Sequence, residues 1–143
     1  MSPLRFSIIF LLFCISCEKY YVSVVREKVD RGALASTFVG SPDPLQENPP
    51  HGQKLYIRWR LPYLTDMKNK YLSLSIIFQN YQTQTLLYPL DHHRGVIVYS
   101  LLNEDYFSVG GLLTYKAEIM DGNHKVIKKW QHSLWVDLIT IEE

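Results

Sequence analysis

Cysteine is nearly absent from this chain. The only two, Cys14 and Cys17, both lie before residue 18 of a 143-residue sequence, so the rest of the chain has no thiol pair that would form a disulfide. Small exported domains commonly depend on disulfides. A domain formed by residues 17–143 has to be stabilised by packing alone, and it is long enough to form one hydrophobic core.

A strong charge of either sign is also lacking. The chain has 15 Lys and Arg against 14 Asp and Glu, and its formal net charge is +1. Removal of residues 1–16 takes away only Arg5 among the charged residues, which leaves a net charge near zero. This balance gives no indication of a nucleic-acid partner or of a polybasic surface.

Motifs for catalysis and for phosphate binding are missing as well. The sequence has no Gly-x-Ser-x-Gly, and neither a lysine nor a glycine-spaced helix start follows Gly110-Gly111. The acidic residues are scattered, so they suggest no pair of catalytic carboxylates. We therefore predict no catalytic residue and no cofactor.

The longest apolar run is short. Residues 6–13 are apolar apart from Ser7 and follow a single positive charge at Arg5. A membrane-spanning helix needs roughly 20 apolar residues. A basic start, a brief apolar core and a small residue near a cleavage site predict a secretory signal peptide over residues 1–16.

The pair Ser16-Cys17 resembles the lipobox of bacterial lipoproteins, in which the cysteine is acylated and becomes the first mature residue. Cys14 stands where that pattern usually has Leu, Val or Ile, and a lipid on Cys14 would put Phe13 where a small residue is needed. The resemblance implies membrane attachment through Cys17, with residues 17–19 as attachment site and tether. Because Glu18 is not the aspartate of inner-membrane retention, it favours the outer membrane. The alternative is an ordinary signal peptide that contains two cysteines.

Period-two alternation of apolar and polar residues recurs after residue 19, together with many Tyr, Trp and β-branched residues, and it predicts strands. Prolines and glycines separate these segments, and the Pro-rich residues 40–53 predict a non-helical crossover or tether. The predicted strands are Tyr20–Val25, Lys54–Leu61, Tyr71–Phe78, Thr83–Tyr88, Val96–Leu101, Leu112–Met120 and Lys125–Ile141.

Strands of this length and spacing predict an all-β fold, a single antiparallel β-sandwich over residues 20–143. The segment from Tyr115 to Ile119 resembles strand F of immunoglobulin-like and fibronectin type III domains, where a tyrosine hydroxyl ties a corner between strands. That resemblance implies that Trp59 is the core tryptophan of an early strand. We expect the inner faces of the last two strands to contain Leu113, Tyr115, Ala117 and Ile119, and Trp130, Leu134, Val136 and Leu138.

Two groups of aromatic and arginine side chains are candidates for contact with a partner. Tyr56, Arg58 and Arg60 alternate with the inward residues of the second strand, and Tyr/Arg surfaces are enriched at interfaces. Tyr81, Tyr106 and Phe107 lie in predicted loops at an end of the sandwich. The alternative for the first group is that the proline-rich segment or another sheet covers it.

Asp91, His92 and His93 form the one concentrated group of metal-ligating residue types. Zinc takes three or four converging ligands, whereas neighbouring residues on extended backbone point to opposite sides. A solvated turn explains this group better than a metal site. His132, between Trp130 and Leu134, is interpreted as a hydrogen-bonded histidine at the edge of the core.

Four longer segments carry a further resemblance: residues 36–44 (Ser-Thr-Phe-Val-Gly-Ser-Pro-Asp-Pro), 48–53 (Asn-Pro-Pro-His-Gly-Gln), 106–115 (Tyr-Phe-Ser-Val-Gly-Gly-Leu-Leu-Thr-Tyr) and 130–135 (Trp-Gln-His-Ser-Leu-Trp). Together they are similar to a family of small chlamydial lipoproteins. The resemblance implies a location in the cell envelope, without an activity or functional residues.

The sequence therefore predicts a lipid-anchored, non-catalytic binding or assembly module of the bacterial envelope, with an envelope protein or glycan as its partner. One alternative is a small envelope hydrolase or metal-binding protein that uses Asp91, His92 and His93. Another is a purely structural spacer.

Overall fold

The computed structural model describes residues 19–136, and the alternating segments form seven strands there. The predictions for residues 1–18, including the signal peptide and Cys17, lie outside the described residues. The strands are β1 (Tyr21–Val29), β2 (Gly52–Arg60), β3 (Tyr71–Phe78), β4 (Thr83–Pro89), β5 (Arg94–Leu102), β6 (Leu112–Met120) and β7 (Val126–Gln131); the helices are α1 (Ala35–Val39) and α2 (Asn103–Val109), with 3₁₀ turns at Arg31–Ala33 and Pro44–Gln46.

The strands form two antiparallel sheets that pack together, which confirms the predicted all-β sandwich. One sheet has the order β1-β2-β5 and the other has the order β4-β3-β6-β7. One apolar cluster joins them, with Leu55 and Ile57 from β2 facing Leu72, Leu74 and Ile76 from β3, all fully buried. Burial of each such side chain stabilises the fold by about 1.5–3 kcal/mol. Period-two alternation in the sequence predicts these five side chains on the inner faces of β2 and β3, and their burial confirms it.

A bulge changes the predicted inner face at the start of β6. Ile77 pairs with Thr114 while the next residue, Phe78, pairs with Leu112, so Leu113 has no partner on β3. Leu112 is buried in the core and Leu113 is only half-buried, so the prediction for Leu113 is wrong. An extra residue in one strand moves all preceding side chains to the other face. Tyr115, Ala117 and Ile119 are buried as predicted.

The last strand is shorter than predicted. It ends at Gln131, and a turn in which Trp135 N donates to His132 O follows it. Trp130 packs against the core, but Leu134 and Val136 are 63% and 67% exposed, so their predicted inward orientation is wrong. Period-two alternation predicts the orientation of side chains only in extended backbone, so it does not apply to residues in this turn. The prediction for Leu138 lies outside the described residues.

The proline-rich connection is ordered and partly helical. It spans residues 30–51 between β1 and β2, and α1 lies before the Pro-rich residues 40–53, in which the structure has a 3₁₀ turn at Pro44–Gln46 and no α-helix. The prolines follow α1, where they do not interrupt it, and Gly40 ends the helix with a φ of 63°. Gly52 and Gln53, predicted as crossover, are the first residues of β2.

Asp43 holds this connection together. One carboxylate oxygen accepts a hydrogen bond from Ser36 Oγ at 2.7 Å and the other accepts one from Leu45 N at 2.9 Å. Both bonds lower the pKa of Asp43, and the bond from Ser36 has the larger effect. Ser36 is buried although it lies in a surface connection. The segment is therefore a folded crossover rather than a tether.

The sandwich has two distinct ends. The lower end contains Tyr20, where β1 begins, and the connections 61–70, 90–93 and 121–125; the upper end contains the connection 30–51, the turn 79–82 and α2. At the lower end, Thr65 Oγ1 donates to Tyr20 Oη at 3.3 Å and Leu90 N donates to Lys70 O at 2.9 Å. These bonds join the lower connections to one another and to the start of β1.

Candidate functional site

The solvent-facing side of the three-stranded sheet is the candidate site, and we call it the outer face. The predicted residues Tyr56, Arg58 and Arg60 point outward from β2, because the intervening Leu55 and Ile57 are buried. The antiparallel register sets their neighbours. It aligns three rows across β1, β2 and β5: Val25–Tyr56–Val98, Ser23–Arg58–Val96 and Tyr21–Arg60–Arg94.

The outer face is open and partly apolar. Val25, Val96 and Val98 are 52%, 53% and 49% exposed, and they flank the β2 residues on both sides. Arg58 and Arg60 are exposed as well, whereas Tyr56 is half-buried, so within residues 19–136 no other segment covers the two arginines. Aliphatic and tyrosine side chains interleaved with arginine match the composition of protein interfaces.

The electrostatics of the outer face are dominated by arginine. Arg58, Arg60 and Arg94 are all exposed there. Glu27, paired with Lys54 on β2, accepts a hydrogen bond from the Tyr56 hydroxyl, and this bond is the main reason that the pKa of Tyr56 is raised. A shallow depression of about 320 Å³ lies between Val25, Arg26, Glu27, Tyr56 and Arg58. A partner with acidic and apolar side chains would complement this surface.

Sequence reasoning missed the two flanking strands of this face. The candidates did not include Val25, Val96, Val98 or Arg94. Each of these residues is directly paired with a predicted outward residue of β2. A signal was present, because these residues alternate with the buried Val22, Val24 and Leu101. Their assembly into rows requires the pairing of strands that are far apart in sequence.

The three predicted loop aromatics lie at the upper end, away from the outer face. Tyr81 is exposed in the β3–β4 turn with a φ of 64°. Tyr106 and Phe107 belong to α2, not to a loop, and their rings pack edge to face at 5.5 Å. Tyr106 packs against the core, while Phe107 is exposed. The structure thus divides the predicted residues between two surfaces.

The histidine pair has structural contacts. His93 Nε2 lies 3.1 Å from Thr65 O and its ring centroid is 5.9 Å from that of Tyr63. His92 is exposed, and its carbonyl oxygen accepts a hydrogen bond from the Trp59 indole at 3.1 Å. Within residues 19–136, no group of three or more His, Cys, Asp or Glu side chains is placed to hold a metal ion. The hydrolase or metal-binding alternative therefore stays a prediction.

A wider depression of about 880 Å³ lies at the lower end, against the β6–β7 hairpin. Tyr71 Oη and His124 Nδ1 are 2.6 Å apart on its wall. Its Asp121 carboxylate accepts hydrogen bonds from the backbone of Asn123 and Lys125, both at 3.0 Å. The bond from Lys125 is the main reason that the pKa of Asp121 is lowered. This carboxylate stabilises the turn, which explains it without a catalytic role.

His132 and the predicted hairpin also have clear structural roles. His132 is half-buried, its ring lies 5.2 Å from that of Tyr115, and its Nδ1 accepts a hydrogen bond from Leu134 N at 3.3 Å. The sequence Asp121-Gly122-Asn123 favours a hairpin turn with positive φ, and this turn does join β6 and β7, but the positive φ, 60°, is at His124 and not at Gly122.

Comparison with known proteins finds no match: neither a family model, nor a curated protein, nor a solved structure matches this chain. The resemblance to chlamydial lipoproteins therefore stays a prediction. In the part of the chain that the structure describes, no helix has the length and apolar character needed to cross a membrane.

Proposed function

We propose that this protein is a lipid-anchored, non-catalytic binding module of the bacterial cell envelope, and that its outer face contacts a partner protein. The observation that supports this function is the exposed set of valines, tyrosines and arginines on a paired sheet. A flat sheet face keeps its side chains in fixed relative positions, so little conformational entropy is lost on binding. The lipid on Cys17 would hold the module at the membrane surface.

We also propose that the sandwich is of the fibronectin type III kind. Its fourth strand pairs with the third, in the sheet that contains β6 and β7, and not with β5. Constant immunoglobulin domains place their fourth strand in the other sheet. The position of Ala117, fully buried two residues after Tyr115, is consistent with an immunoglobulin-like strand F that lacks the disulfide cysteine.

Crosslinking from the outer face tests the binding function. A photo-crosslinking amino acid replaces Val98 in the full chain, inside the cells that produce it, and Thr85 is the matched control because it is exposed on the outside of the other sheet. We expect one discrete crosslinked protein from position 98 that position 85 does not give, and we expect Arg58→Glu to abolish it. Equal products from both positions, or none from position 98, would favour the structural-spacer alternative.

Metabolic labelling with a fatty acid tests the anchor. We expect the label on the full chain and its loss with Cys17→Ser. A cleaved but unlabelled protein would contradict the lipoprotein assignment, while the crosslinking result would still report on the outer face.

A further inference from the structure

The connection from β2 to β3 starts with a tight turn whose tip is apolar and exposed. Thr65 N donates to Pro62 O at 3.0 Å, which closes the turn, and its two central residues are Tyr63 and Leu64. Leu64 is 100% exposed and Tyr63 is 64% exposed. The transfer of apolar side chains out of water lowers the free energy, and tyrosine is enriched at membrane–water interfaces. A surface that binds this tip would need an apolar layer close to its boundary with water, because the two exposed side chains reach only a short distance into it.

This turn is attached to the start of β1. The Thr65 hydroxyl donates to the Tyr20 hydroxyl, and the Thr65 carbonyl oxygen lies 3.1 Å from His93 Nε2. Tyr20 is three positions after Cys17, a distance of about 10 Å at most in extended backbone. An acyl chain on Cys17 would therefore bring the tip of the turn within reach of the bilayer surface.

Cationic side chains flank the turn. Arg60 lies two residues before it and opposite Arg94 in the β2–β5 pairing, and Lys68 is exposed three residues beyond it, after the exposed acid Asp66. Together with the hydrophobic tip, this arrangement matches the way in which interfacial proteins bind anionic bilayers, with apolar side chains at the acyl boundary and Lys or Arg at the phosphates.

The two ends of the sandwich carry opposite charges. Cationic residues outnumber acids at the lower end, and acids outnumber cations at the upper end. The lower end has Lys19, Arg60, Lys68, Lys70, Arg94 and Lys125 against Asp66, Asp91 and Asp121, whereas the upper end has Asp30, Asp43, Glu47, Glu104 and Asp105 against Arg31 and Lys28, which pairs with Asp30. A domain with this charge distribution orients its lower end towards an anionic surface.

We propose that the lower end binds the surface of an anionic phospholipid bilayer. Tyr63 and Leu64 enter the interface between headgroups and acyl chains, and Arg60, Lys68 and Arg94 contact headgroup phosphates. This contact rests on the proposed lipid anchor and adds a second attachment to it. It holds the strands upright on the membrane, so that the outer face is directed sideways, where a membrane-associated partner can reach it.

Tryptophan quenching by brominated lipid tests this contact. The full chain is expressed in a bacterium that processes lipoproteins, and it is purified as Leu64→Trp and, as matched control, Phe38→Trp, a position at the upper end that is 81% exposed. The native Trp59, Trp130 and Trp135 give the same background in both. In vesicles of brominated phosphatidylglycerol, we expect the added tryptophan at 64 to be quenched about twofold or more relative to that at 38.

Two further arms test the role of charge. In the Leu64→Trp chain, Arg60→Ser with Arg94→Ser should lower the quenching about twofold, and neutral brominated phosphatidylcholine should do the same. Quenching that is equal in both lipids would overturn the proposed phosphate contacts. Quenching that is equal at positions 64 and 38 would overturn the membrane contact as a whole.

The lipid label on Cys17 is measured in the same preparations, which separates this inference from the anchor. If the label is present and quenching at position 64 does not exceed that at position 38, the lipid anchor is supported and the proposed membrane contact of the turn is wrong. With the label absent, the unanchored chain is added to preformed vesicles: excess quenching at 64 supports the contact without the anchor, and equal quenching contradicts both.

Discussion

His51 and Asn103 are joined by a reciprocal pair of hydrogen bonds. Asn103 N donates to His51 O at 2.7 Å, and Asn103 Oδ1 accepts from His51 N at 3.1 Å. The run Asn103-Glu104-Asp105 is a sequence pattern that favours a short helical turn capped at its start, but the N-cap is Leu102, without a side-chain bond. Asn103 instead has a φ of 51° and connects the end of the 30–51 crossover to α2. The upper end of the sandwich depends on this pair.

We expect Asn103→Ala to lower the free energy of unfolding by about 2 kcal/mol, since it removes one hydrogen bond and replaces asparagine, which tolerates left-handed backbone, by alanine, which does so less well. Asn103→Asp keeps the acceptor oxygen and tolerates this φ, so it should lose less. Asn103→Gly tolerates the left-handed backbone but loses the hydrogen bond that the Asn103 side chain accepts from His51 N. Urea denaturation measures the loss of unfolding free energy in the three variants. Equal losses for Asn103→Ala and Asn103→Asp would contradict the prediction.

Gly95 leaves room for the Trp59 indole. The two residues are directly paired between β5 and β2, and a β-carbon on Gly95 would collide with the six-membered ring of Trp59. We expect Gly95→Ala to cost about 1–3 kcal/mol of stability, because the indole has to move away from His92 O and from the core edge. Val96→Ala, an exposed neighbour on the same strand, should cost much less. Thermal unfolding and near-UV circular dichroism compare the two.

The ion pair between Lys116 and Glu118 is mostly buried. Lys116 Nζ lies 3.3 Å from Glu118 Oε2 and 4.9 Å from the centre of the Trp135 ring. Glu118→Gln removes the charge of one carboxylate from this poorly solvated ion pair, so we expect a loss of about 1–2 kcal/mol. The control is the exposed pair of Lys28 and Asp30 at 3.1 Å, where Lys28→Met should change stability by less than about 0.5 kcal/mol. Similar changes at both sites in urea titrations would refute this difference.

Alkaline pH should destabilise the fold through buried tyrosines. Burial raises the pKa of Tyr115, and it is also the main cause of the raised pKa of Tyr99. Because the folded state favours the neutral phenols, their contribution is complete below the unfolded pKa of about 10 and is lost as the pH rises through the folded pKa.

Tyr115→Phe should therefore reduce the fall in stability above about pH 10. Tyr81→Phe, at an exposed turn, is the control and should leave that fall unchanged. Unfolding free energies measured from pH 8 to pH 11.5, a range set by the tyrosine pKa, provide the comparison. A Tyr115→Phe profile that parallels the wild type would exclude the burial of this phenol as a cause.

Local patterns predicted most of the strands and their inner faces. Alternation in Lys54–Leu61 and in Tyr71–Phe78 identified Leu55, Ile57, Leu72 and Leu74, because successive side chains in a strand point to opposite faces. The same rule failed for Leu113, Leu134 and Val136. A bulge and a turn, neither of which alternation reveals, change the face at those positions.

The candidate site was predicted only in part, for a related reason. Tyr56, Arg58 and Arg60 are adjacent on one strand, so the sequence indicated them directly. Their neighbours Val25 and Val98 belong to β1 and β5, and only strand pairing places them in one row. Tyr81 and Phe107 were recognised as exposed aromatics, but their position at the upper end depends on the fold.

The sequence by itself determined the fold class, most of the core and the absence of catalytic motifs, since these follow from residue type and from contacts between near neighbours. It also determined a balanced charge, from which no charged surface was expected. Only the tertiary structure separated that charge into a cationic lower end and an acidic upper end. Antiparallel strands bring Arg60 and Arg94 to the same place and carry Asp43 and Glu104 to the opposite one. Net charge is a sum over the chain, whereas a surface potential depends on where the folded backbone places each charge.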